Sequence, residues 1–327
     1  MIRNPVCSRE LKVSSRSFRL PLSILLFNGI LSLVTLLNMY SVVEQVKKTA
    51  VIQYSSFMDM YRFVTTIEFI LLLFIVPAVT AASISGERER QTLDLMLTTQ
   101  MTAVQVVIGK LMSALGTMLL LIVSSFPAVA MVFVYGGITW GDVFSLLLCY
   151  LAAAFFAGSL GICCSAVFKR STMSTVITYG IMIAVVAGTY FMNKFCLALS
   201  STRISNTAAV FGTEAGLKAS SGGMFYLLLL NPAATFLAII SRQAEGSKAV
   251  AELGGYFGMN VSGFVMDNWV IISIMLQAAL ACVMIAAAVW CVEPVKGRAR
   301  QYKNRNKRGE SSDTAEAGGD IKALRKN

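Results

Sequence analysis

Six long apolar runs divide the chain, at Leu20–Val43, Phe63–Ile84, Leu111–Tyr135, Val143–Phe168, Val176–Phe195 and Trp269–Val292. Each reaches the roughly 20 residues that a helix needs to cross a hydrocarbon core. A soluble core cannot hide so much unbroken apolar surface. Hydrophobic residues make up 56% of the 327 and charged residues only 14%, against about 25% charged in ordinary soluble proteins. The expected fold is all-α: a polytopic membrane protein of six spanning helices, because in lipid the backbone must satisfy its own hydrogen bonds.

Lys and Arg set the orientation, since they concentrate on the cytoplasmic side. With both termini in the cytoplasm, 20 of the 28 basic residues fall inside, ten of them from Lys296 onward. Five of the remaining eight lie in the long outer segment from Lys194 to Asn268, where the charge rule is weak. Tyr40, Tyr61, Tyr135, Trp140, Tyr190 and Trp269 would then lie near the outer interface. The net charge of +11 does not point to nucleic acid, because the basic residues sit at the ends of apolar runs rather than in an aromatic-lined groove.

This orientation divides the chain into residues 1–19, a cytoplasmic N-terminal stretch; 20–295, the spanning domain; and 296–327, a basic, apolar-poor tail expected to be disordered. Residues 5–19 read either as an interfacial helix, with Arg9, Lys12, Arg16 and Arg19 opposite Cys7, Leu11 and Phe18, or as a basic tail that only sets topology. The first apolar run is too long for a signal-peptide core and ends in no small-x-small site, so no cleaved leader is expected. Residues 196–268 are expected to form a large extracellular loop. Within it Met224–Ser241 is long enough to resemble a seventh span, but Asn231–Pro232 interrupts it, because proline disfavours helix in the residue before it. Two short helices dipping into or capping the outer leaflet are expected, with a seventh crossing as the alternative.

Between the second and third apolar runs lies a charged, helix-prone insert, ISGERERQTLDLMLTTQMTAVQVVIGK. Glu87 and Glu89 fall in a first turn after Gly86, where the helix dipole favours carboxylates. Leu93, Met96 and Leu97 recur at helical spacing, while Arg88, Gln91 and Asp94 can face outward. Thr98–Thr99 interrupts, and Thr102-x-x-Gln105 reads as a capping box for a second helix running through Lys110 into the third span. Such a device either docks a cytoplasmic partner or is a hairpin lying flat on the membrane.

This insert resembles the permease subunits of ABC exporters of the second permease type. They typically read Glu-Arg-x-x-x-Thr-Leu-x-x-Leu-Leu-x-x-Pro and then Gly-Lys between the second and third spans. Glu87, Arg88, Thr92, Leu93, Leu97, Gly109 and Lys110 match, and Met96 replaces a common Leu. Gln91 stands where Gly is usual and Gln100 where Pro is usual. The opening NPVCSREL and the LNP at Leu230–Pro232 are also similar to the family. The resemblance implies a coupling helix in residues 85–110 that seats on a separate cytoplasmic ATPase, with Glu89, Arg90 and Asp94 completing the contact. It also implies a second permease chain, identical or related, and location in the bacterial cytoplasmic membrane. The chain has no GxxxxGK phosphate loop, and SSGGM at Ser220 is a faint likeness in an outer loop. ATP and magnesium are therefore expected in the partner, with no cofactor, metal or catalytic residue in this chain. Ala153, Ala157, Gly158, Gly161 and Ser165 would permit close helix packing, either between chains or within one.

Glu68 lies just over a turn inside the outer end of the second run. A carboxylate at that depth is a functional candidate by default; the alternative is that it snorkels outward or pairs with Arg62. Pro77 reads as a kink with a gating role or as a tolerated proline, and Asn231 and Pro232 as pathway or gating candidates. Histidine is absent, which removes His-based metalloprotease and triad chemistry. Five of the seven cysteines fall in spans, Cys7 is cytoplasmic and Cys196 has no obvious partner, so disulfides are not expected. The leading reading is an ATP-driven permease, with apolar or amphipathic cargo suited to spans poor in polar residues. The alternative is a non-transporting scaffold or sensor component that uses residues 85–110 to bind a partner.

Overall fold

A computed structural model describes residues 9–10, 12–13, 17–49, 54–93, 102–136, 138–211, 219–245, 264–265 and 268–293. Asp94, Met96, Leu97, the break at Thr98–Thr99, residues 246–263 of the loop and the tail from 296 lie outside the described residues. The six apolar runs are helices long enough to span a membrane. They are α1 (Arg19–Thr49), α2 (Tyr54–Thr80), α4 (Ala103–Gly136), α5 (Trp140–Val167), α6 (Ser171–Ile183) continuing as α7 (Thr189–Phe211), and α9 (Trp269–Val292). The short α3 (Ser85–Glu89) follows α2, and a 3-10 helix (Gly222–Leu230) precedes α8 (Pro232–Glu245).

Boundaries follow local chemistry. Thr139 caps α5 reciprocally with Asp142, each accepting from the other's backbone N–H at 3.3 and 3.0 Å, the capping-box geometry. The expected box at Thr102 and Gln105 forms in the same way, at 3.3 and 3.2 Å. Pro77 does not end α2, which runs on to Thr80 before the chain turns over residues 81–84. The fifth span extends well past Phe195, to Phe211. Hydropathy marks where lipid can solvate a helix; it does not mark where the helix stops. The polar SSTRISN stretch continues the helix beyond its lipid-compatible part.

α5 is the most buried of the spanning helices, and α1, α6–α7 and α9 are the least. α5 therefore forms the centre of the bundle, with α2, α4 and α9 packed around it. The stripe proposed for close packing is used here. Ala153, Ala157, Gly158, Gly161 and Ser165 are all buried within this chain. Two of the expected interface aromatics also turn inward: Tyr61 is buried, and Trp269 packs against Phe225 at 5.1 Å. Tyr40 and Trp140 remain exposed.

The break at Asn231–Pro232 is sharp. The 3-10 helix and α8 meet at 90°, so they form no straight span. Proline at the first helical position suits its fixed φ, and Asn231 is extended before it. Asn231 Oδ1 accepts from the Ala233 N–H at 2.9 Å. Its Nδ2 donates to the Val186 carbonyl at 2.9 Å and to Thr189 Oγ1 at 2.8 Å. Val186 lies in a π-helical turn between α6 and α7 (Ala184–Gly188), where i→i+5 bonding displaces carbonyls from the α ladder. α8 then enters the bundle: Phe236 stacks on Phe69 at 4.3 Å, with Tyr150 beyond at 6.2 Å.

Candidate functional site

The turn at residues 81–84 leaves backbone groups without helical partners, and hydroxyls from two other helices satisfy them. Ser165 Oγ on α5 accepts from the Ile84 and Ser85 N–H groups, both at 2.9 Å. Ser174 Oγ on α6 donates to the Ala81 carbonyl at 2.6 Å. α3 is thus fixed where it leaves α2.

Three consecutive charges then tie α3 to three different elements. Glu87 Oε1 accepts from Lys110 Nζ on α4 at 2.9 Å. Arg88 Nη1 donates to the Ala166 carbonyl near the end of α5 at 3.1 Å. Glu89 accepts from the Ser171 N–H at 3.0 Å and from its hydroxyl at 2.7 Å, at the start of α6. The signs suit the helix dipole: a cation meets a C-terminus and an anion meets an N-terminus. Arg88 therefore faces inward, against the expectation of an outward side chain. The carbonyls at the end of α5 need donors, and the guanidinium supplies one.

Lys110 has a second partner, Glu10 Oε1, at 2.9 Å. Sequence reasoning passed over Glu10. The available signal was a lone acid within a basic N-terminal stretch. Arg9, Glu10, Lys12 and Val13 are helical, and this contact anchors that stretch to α4. Gly109 is buried next to Lys110. Leu93 is also buried, among Ile84, Val106, Val107 and Val292, and so serves this chain's own core. Thr92 Oγ1 donates to the Glu87 carbonyl at 3.2 Å, closing the loop after α3. What remains exposed is Glu89, Arg90 and Gln91.

Gln91 has φ of 57°, the left-handed conformation that disfavours a Cβ. It stands where the resembling permeases carry glycine. Gln91→Gly is expected to stabilise the protein by about 0.5–1 kcal/mol, net of the greater freedom of glycine in the unfolded chain. A higher thermal midpoint of the purified protein would show this, and an unchanged or lower one would count against strain at this turn.

Glu68 lies elsewhere, 16 residues or roughly 24 Å along the chain from Ile84 at helical rise. It neither snorkels outward nor stays at the surface: it is 1% exposed. Its carboxylate accepts from Ser125 on α4 and from Tyr150 on α5, the latter at 3.2 Å. Both donors also reach backbone carbonyls, Ser125 to Ile122 at 2.8 Å and Tyr150 to Thr65 at 3.1 Å. Neither hydroxyl would be left without an acceptor if the carboxylate were removed. A carboxyl group buried inside a spanning segment is a functional candidate. Glu68→Gln is expected to express and fold normally while changing the transport rate several-fold. Normal transport would reduce the group to packing.

The sequence profile of the ABC-2 family transporter protein matches residues 25–290, most of the chain. The chain belongs to the ABC-2 transporter family. It is a membrane permease of that family, all-helical and multi-pass. No curated protein matches it. The family match covers both the permease's α3 cluster and the Glu68 cluster, while Glu10 lies before it. Cys149, Cys163, Cys164, Cys196, Cys282 and Cys291 are unbridged, and no metal-holding cluster occurs among the described residues.

Proposed function

We propose that this permease works as the transmembrane subunit of an exporter driven by a separate cytoplasmic ATPase, which binds the ATP and magnesium, and that it pairs with a second permease chain in the bacterial plasma membrane. In this reading both termini and α3 face the cytoplasm. One observation carries the proposal: Glu87, Arg88 and Glu89 bind α3 to α4, α5 and α6. A force applied to α3 would therefore reach the centre of the bundle, and not α2 and α4 alone. ATP-driven movement of the partner would displace these helices together as a rigid-body switch between two states.

The division of labour along the motif follows from burial. Glu87, Arg88, Leu93 and Lys110 transmit, while Arg90 and Gln91 present the surface that a partner can touch. Arg90→Glu is expected to weaken ATPase association roughly tenfold, about 1.4 kcal/mol, without changing the permease's thermal midpoint. Pull-down of the ATPase and cargo-stimulated ATP hydrolysis in reconstituted complexes test this. Wild-type association and stimulation in Arg90→Glu would remove the docking role from this turn.

A further inference from the structure

At the end of the bundle away from α3, a cavity of about 420 Å³ opens between α5, α8 and α9. Its size lies within the roughly 300–1,000 Å³ of small-molecule sites. Its chemistry changes with depth. Asp142, Ser145 and Leu148 line it from α5, at i, i+3 and i+6, so they descend one helix face from the first turn. Ile271 and Ile274 descend in parallel from the Trp269 end of α9, and Arg242 closes the rim from α8.

The rim is held in place. Gln243 Nε2 donates to the Asp142 carbonyl at 2.9 Å, and its Oε1 accepts from the Tyr61 hydroxyl at 2.9 Å. This joins the last turns of α8 to the first turn of α5. Arg242, the neighbouring residue, makes no ion pair or hydrogen bond among the described residues. Both bonds from Thr139 to the Asp142 carboxylate go to Oδ2, leaving Oδ1 without a partner among those residues. A guanidinium and a carboxylate oxygen, unpaired with each other, thus share the mouth of an apolar-walled cavity. Trp140, 69% exposed and two residues before Asp142, marks the depth at which lipid headgroups meet the protein.

An occupant that fits must carry an anion and a hydrogen-bonding cation at one end and hydrocarbon at the other. We propose that the cavity binds an aminophospholipid of the adjacent leaflet. The phosphate lies on the Arg242 guanidinium, the primary ammonium on Asp142 Oδ1, and one acyl chain along Leu148, Ile271 and Ile274. A choline headgroup has no N–H to offer Asp142, and a glycerol headgroup has no cation. The inference rests on the membrane embedding of the bundle and is independent of the partner ATPase.

Native mass spectrometry of the delipidated full chain, titrated with phosphatidylethanolamine, phosphatidylglycerol or phosphatidylcholine, tests it. Wild type is expected to retain one phosphatidylethanolamine per chain at least tenfold more tightly than either other lipid. Arg242→Gln should weaken that retention tenfold or more. Asp142→Asn, which keeps an acceptor for the Thr139 cap, should retain phosphatidylglycerol as before and lose the preference for the amine. Equal retention of the three lipids by wild type, or undiminished phosphatidylethanolamine binding by Arg242→Gln, overturns the proposal.

Discussion

Lys110→Met is expected to destabilise the permease by about 3 kcal/mol and to abolish cargo-stimulated ATP hydrolysis in the assembled complex. The lysine side chain is 4% exposed and donates to Glu87 and Glu10 at 2.9 Å each. Methionine fills much the same volume without the charge. It would leave two carboxylates facing each other in a largely dry site. Removing one partner of a buried pair costs about 3–5 kcal/mol. The lower end applies because the Glu10 side chain is 33% exposed and solvent screens it. One Glu87 oxygen is already buried without a partner, so no alternative donor is waiting to replace the ammonium. Adding Glu87→Gln and Glu10→Gln to Lys110→Met should recover most of the lost stability, since apolar or neutral replacement of all members strands no charge. Activity should not recover, because α3 would remain untied from α4. Thermal unfolding of the single and combined variants separates these effects. A Lys110→Met protein as stable as wild type would mean that the cluster contributes nothing to the fold.

The spanning helices were legible because lipid leaves a long apolar run no alternative: the backbone closes on itself. The Thr102–Gln105 cap and the elbow at Asn231–Pro232 were equally legible, since both rest on chemistry confined to a few neighbouring residues. What escaped was partnership at a distance. Glu10 meets Lys110 across 100 positions, and Arg88 meets Ala166 across 78. A motif that reads as an outward-facing charged turn therefore proves to be largely turned inward, its side chains spent on α4, α5 and α6. Glu68 was ambiguous for a related reason. A single carboxylate in an apolar helix carries no periodicity to say which face it occupies, and its inward direction emerges only with Ser125 and Tyr150 beside it. Tyr61 and Trp269 show the same limit for aromatics. Position along a span places them at the interface, but packing with Gln243 and Phe225 decides that they face protein. Ser165 was legible as a small residue that allows close approach. Its second task, accepting two backbone N–H groups at the α2–α3 turn, had no sequence signal, because the turn and the serine lie 80 residues apart.

Gly161→Ala should be strongly destabilising, with an expected loss of about 3 kcal/mol. A Cβ built on Gly161 would lie 2.1 Å from Thr80 Oγ1, 2.9 Å from Thr80 Cβ and 3.3 Å from the Ala81 nitrogen. Overpacking in a tight core costs about 1–3 kcal/mol, and here two of the three obstructing atoms cannot rotate away. The third, the Thr80 hydroxyl, is held on the Val76 carbonyl at 2.8 Å. Relief therefore requires α5 to move off α2. Ser165 lies one turn further along the same face of α5, so that movement would also pull its hydroxyl from the Ile84 and Ser85 N–H groups that fix α3. Gly158→Ala serves as the matched control. Its new methyl would meet Leu111 Cδ1 at 3.1 Å, the free end of a flexible side chain, and should cost little. Thr80→Ala added to Gly161→Ala should recover part of the stability, limited by the Cβ that remains, and Thr80→Gly should recover more of the contact at roughly 1 kcal/mol of helix propensity. Thermal midpoints of the purified variants, read beside ATPase stimulation in the complex, give the comparison. If Gly161→Ala matches Gly158→Ala in both, α5 has slack against α2, and the close approach at Gly161 does not hold α3 to the centre of the bundle.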